Sequence, residues 1–213
     1  MKDIAIFGAG GFGREIACLI RQINKVKPTW NLIGFFDDNP DLKGKRNEYG
    51  GILGGIDLLK QYDRELAIAI AIGNPSVVRK VVNEVSANEK IWYPNLVAPD
   101  VTFMDEDSFS MGRGNIICSR CWISCNVHFG DFNILNVSIT VGHDARLGNF
   151  NTLMPAVNIS GEVTVGDGNF FGVASVVLQQ KKIGCGTIIG GNSMIIKNTK
   201  DGRTYMGNPA SAL

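Results

Sequence analysis

Hydrophobic residues follow two different rules along this chain of 213 residues. Up to about residue 88, short apolar runs alternate with longer segments of helical period, as in βαβ units built on a parallel sheet. The runs "IAIF" (4–7), "LIGFF" (32–36) and "ELAIAIAI" (65–72) predict three strands. Between the first two, "REIACLIRQI" (14–23) places Ile16, Leu19, Ile20 and Ile23 on one helical face. After the third, Asn74 stands as an N-cap and Pro75 at the first helical position of "PSVVRKVVNEV".

From residue 111 the period becomes six. Met111, Ile117, Ile123, Phe129, Leu135, Val141 and every sixth residue onward to Ile195 are apolar, and glycine often follows, as at Gly112, Gly130, Gly142 and Gly148. A parallel β-helix requires such a phase, because its coils stack equivalent positions into columns of side chains. Upstream, Val97, Phe103 and Phe109 keep the period two positions out of phase, with "DED" (105–107) between the last two, which predicts a first coil carrying a small insertion. The expected architecture is an α/β Rossmann-like βαβαβ domain over 1–88 followed by a β-helix over 89–213.

Composition narrows the possible partners. Lys plus Arg number 21 against 20 for Asp plus Glu, so there is no field of one sign to hold nucleic acid or an anionic membrane. The N-terminus enters a strand with no secretory h-region, and no apolar stretch reaches 18 residues, so a soluble cytoplasmic protein is expected. Five cysteines, an odd number, fit reduced thiols. Cys118, Cys121 and Cys125 of "CSRCWISC" occupy different hexad places that point in different directions, and no fourth ligand of matching spacing appears, so no metal is expected.

Gly8, Gly10 and Gly13 form G-x-G-x-x-G between a strand and a helix, the context in which a phosphate approaches backbone N–H groups at a helix N-terminus. Asp37 and Asp38 follow the second strand, where a carboxylate can accept from ribose hydroxyls or a base. NAD is the first candidate. A single βαβαβ half, however, fits a mononucleotide better, since dinucleotide sites use two. The alternative is structural: glycines that permit close helix–strand packing, and acids that cap a turn.

Taken in order, "GAGGFGREI", "GFFDDNP", "AIGN", "ILN", "VGHDARLG", "ISGEVTVG" and the terminal "GNPA" run through nearly the whole chain. Together they resemble the hexapeptide-repeat, left-handed β-helix acyltransferases, in the subgroup of sialic acid O-acetyltransferases and nucleotide-linked amino-sugar N-acetyltransferases of bacterial glycan pathways. The resemblance implies an enzyme that uses acetyl-CoA and a nucleotide-linked sugar. The sugar nucleotide would be held by Gly10, Gly11, Phe12, Asp37, Asp38, Gly73 and Asn74, with Asn136 touching the sugar; Phe12 stands where relatives often carry histidine. Acetyl-CoA would lie in a groove between neighbouring subunits of a homotrimer, near Thr152, Gly161, Val173 and Gly191. Some relatives have a second histidine at Thr152, and the N–H near Gly161 would face a developing oxyanion. Flat faces carrying Ile134, Val137 and Ile139 are expected to be bare in a monomer.

His143, one of only two histidines, sits in the third place of its hexad directly after Gly142, so its side chain points away from the inner column. Acetyl transfer to an amine or hydroxyl needs a base, a task suited to imidazole. The resemblance makes His143 the proton acceptor with Asp144 in support; His128 matches no motif and reads as structural. A zinc carbonic anhydrase on the same scaffold needs three histidines and fails on counting. Two other readings remain: an NAD module fused to a structural repeat, and a nucleotide-sugar scaffold or sensor without turnover, motivated by Thr152 and the lack of a lysine after "GNPA".

Overall fold

The computed structural model describes all 213 residues, which divide into two compact units, Met1–Pro99 and Asp100–Leu213. In the first unit, β1 (Lys2–Phe7), α1 (Gly11–Val26), β2 (Trp30–Phe36), β3 (Arg46–Asn47), β4 (Gly50–Gly54), α2 (Ile56–Lys60), β5 (Leu66–Ile70), α3 (Pro75–Val85) and β6 (Ile91–Trp92) follow one another. The sheet order is β3-β4-β2-β1-β5-β6, with only the β3–β4 pair antiparallel. The unit runs to Pro99 rather than to about 88 because Ile91 and Trp92 pair with Leu66 and Ala67 and extend the sheet.

Helix α3 begins where its cap dictates. Asn74 Oδ1 accepts from Ser76 N at 3.0 Å and Pro75 follows, which starts α3. Helix α1 buries Ile16, Leu19 and Ile20 against the sheet, whose central strands bury Ile4, Ile6, Phe35, Phe36 and Ile68. The β3–β4 hairpin and α2 carry no clear pattern in the sequence. The hairpin turns on Asn47, whose Oδ1 accepts from Tyr49 N and Gly50 N, and β4 is glycine-rich and only partly covered.

The second unit is the left-handed parallel β-helix that the hexads predict. Two-residue strands pair in parallel with a strand 18 residues on, so three hexads make one coil and the strands form three sheets. Ile117, Leu135, Leu153, Phe171 and Ile189 stack in one column, and each is fully buried.

The first coil does contain an insertion, and its register locates it. Phe103 pairs with Ile123, twenty positions away (123 − 103), whereas Met111 pairs with Phe129 at the normal eighteen (129 − 111), so two extra residues lie between Phe103 and Met111. Phe109 is not a member of the Met111 column; Ser110 N bonds Val127 O, which sets Phe109 opposite Val127, and its ring packs on Phe103 and Phe129.

A second inward column escapes a hydrophobicity reading. Asn115, Asn133, Asn151 and Asn169 are fully buried, one per coil. Each of the last three donates its backbone N–H and its Nδ2 to Oδ1 of the one before, at 2.9 to 3.1 Å, and Thr187 N closes the ladder on Asn169. Buried amides are tolerated here because each meets its partners.

The expectation of bare Ile134 and Ile139 is overturned: they are 3% and 0% exposed within a single chain, and Val137 is half-buried. Ile139 points inward, four places after Leu135. The outward apolar residues that solvent does reach are others, among them Trp122, Val173 and Ile188. The terminal "GNPA" forms the turn, with a cis Asn208–Pro209 bond, between Thr204–Gly207 and Ala210–Ala212.

Candidate active site

Every coil turns a corner through a residue of positive φ, and one such column holds Asn126, Asp144, Glu162 and Gln180, with φ of 57°, 59°, 58° and 61°. His143 immediately precedes Asp144. The corner backbone is pinned between coils, since Asp144 N donates to Cys125 O at 3.1 Å and Glu162 N to His143 O at 2.8 Å. On this rigid corner the His143 and Asp144 side chains remain 55% and 47% exposed, so the imidazole points outward as the hexad phase requires.

His143 Nδ1 lies 2.8 Å from Asp144 Oδ2, and Asn126 Nδ2 donates to Asp144 Oδ1. The hydrogen bond from His143, and after it the one from Asn126, hold the Asp144 carboxyl below the usual carboxylate range. An ionised carboxylate only accepts, so Nδ1 carries the ring proton and a neutral imidazole presents Nε2 as a bare acceptor. The ring lies over the next coil: a β-carbon on Gly161 would sit 2.5 Å from His143 Nε2. Gly142 is likewise obligatory, because its β-carbon would meet Gly161 N at 2.5 Å. The dyad therefore rests on a floor of bare backbone.

In the first unit, a cavity of about 430 Å³ collects Gly10, Gly11, Phe12, Asp37 and Asp38. The glycines divide their labour. A β-carbon on Gly8 would lie 2.7 Å from Ala71 O and one on Gly13 only 1.9 Å from Gly8 O, so these two serve close packing. Gly10 and Gly11 face open space and are free to approach a ligand. Both acids also tie down backbone: Asp37 Oδ2 accepts from Ala9 N at 2.8 Å and Oδ1 from Asn39 N at 2.9 Å, and Asp38 Oδ1 accepts from Ile56 N at 2.7 Å. Asp38 thereby caps α2, and Asp37 fixes the glycine loop.

The cavity wall includes Ala71 and Ile72 but not Gly73 or Asn74, and Asn74 Oδ1 is occupied in capping α3. In their place α3 presents Val77, Lys80, Val81 and Glu84, which the sequence reading missed. Their three- and four-residue spacing on one helical stripe was the available signal. Glu84 lies 2.7 Å from Lys60 and 3.7 Å from Lys80, and the Lys60 ammonium above all keeps its carboxyl below the ordinary range.

Residues 3–85 match the family model described as the PglD N-terminal domain. Over the full length, the chain is similar to the acetyltransferase domain of PglB from Neisseria gonorrhoeae FA1090, solved in complex with acetyl coenzyme A: 28% identity, TM-score 0.89, covering 100% of this chain and 99% of that one. In sequence and fold the chain is similar to hexapeptide-repeat sugar acetyltransferases. WeeI from Acinetobacter baumannii AYE, of the same fold, covers 100% of both chains at 26% identity and TM-score 0.88. A GDP-perosamine N-acetyltransferase of Escherichia coli O157:H7 is 31% identical over 151 residues, which span 68% of this chain and 64% of that protein.

The positions that the family resemblance assigns to acetyl-CoA and sugar are dispersed in this chain. Thr152 is 2% exposed, so its hydroxyl does not reach the surface of the chain. Val173 is 49% exposed and stacks one coil below Gly191, whose β-carbon would lie 3.3 Å from Val173 O; both offer an open corner. Asn136 folds its Oδ1 back onto Val137 N at 2.8 Å. His128 Nδ1 lies 2.6 Å from Ser110 Oγ, on the neighbouring strand with which His128 pairs.

Proposed function

We propose that this chain transfers the acetyl group of acetyl-CoA to the amino group of a nucleotide-linked sugar, with His143 as the general base. The observation that carries the reading is the outward His143–Asp144 pair, with Nδ1 held by a carboxylate and Nε2 presented over the bare backbone of Gly161. Similarity to a GDP-perosamine N-acetyltransferase, and to a PglB domain solved with acetyl coenzyme A, supports the choice of acceptor and donor.

In the proposed reaction the sugar amine attacks the thioester carbonyl and a C–N bond forms as His143 Nε2 takes the amine proton. The carbonyl oxygen gathers negative charge, and the Gly161 N–H is assigned to stabilise it. The C–S bond then breaks, and the imidazolium returns its proton to the departing CoA thiolate, leaving acetamido sugar and free CoA. Asp144 keeps the ring in the productive tautomer and stabilises the imidazolium.

The sugar nucleotide is assigned to the glycine-loop cavity around Gly10, Gly11, Phe12, Asp37 and Asp38, and acetyl-CoA to the β-helix corners near Gly161, Val173 and Gly191. The functional form is proposed to be a cytoplasmic homotrimer serving surface-glycan synthesis, since the family builds its donor groove between subunits. The deciding experiment is His143→Ala assayed at pH 6, where an amine acceptor is protonated. A fall in kcat on the order of 10²- to 10⁴-fold with acetyl-CoA affinity preserved is expected. Near-full activity would reduce His143 to a positioning residue. Absence of CoA release by the wild type with every nucleotide-linked amino sugar would favour a scaffold or sensor.

A further inference from the structure

We propose that Asn126 is a positioning residue of the active site, which sets the tautomer of His143 by locking the Asp144 carboxylate from the coil below. The proposal rests on the reading of His143 as the base. Asp144 has two oxygens with different tasks: Oδ2 holds His143 Nδ1, and Oδ1 accepts from Asn126 Nδ2. A carboxylate on an exposed corner would otherwise rotate about its side-chain bonds and exchange protein partners for water. Asn126 removes that freedom because its amide approaches from the equivalent corner, eighteen residues earlier, on the side away from the ring.

Asn126 is itself anchored in a way that no later corner repeats. At the following corners the N–H of Asp144, Glu162 and Gln180 donates to the carbonyl of the residue before the corner below. The Asn126 N–H donates instead to the Ser108 hydroxyl, at 2.7 Å, and Ser108 Oγ in turn donates to Asp105 O. Ser108 belongs to the stretch that holds the two extra residues of the first coil. The insertion thus ends in a chain of hydrogen bonds, Ser108 to Asn126 to Asp144 to His143, that reaches the imidazole. Asparagine also suits the site because it tolerates the φ of 57° found there.

The test uses the protein labelled with ¹⁵N in its two histidine rings, with His128→Gln to assign the signals, at a pH where both rings are neutral. Asn126→Gly removes the amide while accepting the positive φ, so the corner stays folded. The ratio of Nδ1–H to Nε2–H tautomer at His143 is expected to fall about 5-fold, as for loss of one net hydrogen bond. With acetyl-CoA and GDP-perosamine, or whichever nucleotide-linked amino sugar the wild type turns over, kcat should fall by a similar factor at unchanged KM for acetyl-CoA. In an Asp144→Ala background, Asn126→Gly should change neither quantity further. An unaltered tautomer ratio in Asn126→Gly, or an equal change with and without Asp144, would overturn the assignment. If His143→Ala keeps full activity while Asn126→Gly still shifts the ratio, the base reading fails and the positioning contact stands.

Discussion

The setting of the His143 imidazole draws on three coils: Asp144 bonds it, Asn126 holds Asp144 from the coil below, Gly161 lies under the ring, and Gly142 lets its own coil approach Gly161 closely. The glycine floor leads to a test independent of any hydrogen bond. Gly161→Ala places a methyl group 2.5 Å from the present position of Nε2, inside van der Waals contact, so the ring must swing away while the backbone keeps its shape. The expected result is a loss of kcat on the order of 10²-fold, comparable with misplacing a catalytic group by about 1 Å. Thermal unfolding should change little, because the methyl group points to a half-exposed corner. A variant with wild-type kcat would show that Nε2 is not the working atom. The histidine, its acidic neighbour and the glycine after the next turn were all legible in the sequence. Asn126 was not, because its relation to Asp144 is a spacing of eighteen that only becomes a contact once coils stack.

At the level of elements, the β-helix is held by two kinds of column. The apolar columns, such as the one that runs from Ile117 to Ile189, are obvious in the sequence as a hydrophobic period. The asparagine ladder carries the same 18-residue period, yet reads as polar surface, since an amide is usually exposed unless it is fully bonded. Its burial makes a sharp prediction. Asn151→Ala strips the acceptor from Asn169 N and one from Asn169 Nδ2, and leaves Asn133 Oδ1 with the backbone N–H of residue 151 as its one remaining donor from that coil. Chemical unfolding should show a loss of about 2–4 kcal/mol, the cost of unsatisfied buried groups plus a small cavity. Asn149, whose side chain accepts from Asp131 N and donates to Asp167 on the half-exposed neighbouring column, should cost about 1 kcal/mol when replaced by alanine. Equal losses at both positions would mean that the ladder adds no more than any corner hydrogen bond. The first unit shows the complementary case: β1, β2, β5, α1 and α3 were legible from apolar period and caps, whereas the β3–β4 hairpin turns on Asn47 accepting from two nearby backbone N–H groups, and α2 starts where Asp38 reaches eighteen residues along the chain to Ile56 N.

For the whole molecule, the proposed trimer has to be argued without Ile134 and Ile139, which the single chain already covers. Solvent-accessible Trp122, Val173 and Ile188, exposed by 39%, 49% and 49%, are among the apolar residues left for another copy to cover. Sedimentation equilibrium should return about three times the chain mass of 23.1 kDa, and a stable, active monomer would overturn the proposal. Fold class lay open to sequence reading because each unit is built from a short repeat of local signals: strand, glycine turn and capped helix in one, an inward aliphatic every six residues in the other. Periodicity is a property of the chain itself, and burial of a periodic column follows from it directly. What only the tertiary structure decided were the relations between residues of different coils and strands. It set the two-residue register jump after Phe103, the occupation of both Asp37 and Asp38 by backbone N–H groups, the presence of Lys80 in the glycine-loop cavity, and the burial of Thr152. Each depends on which atoms come within about 3 Å of one another, and hydrogen bonds and close contacts at that range are fixed by packing in three dimensions rather than by neighbours along the sequence.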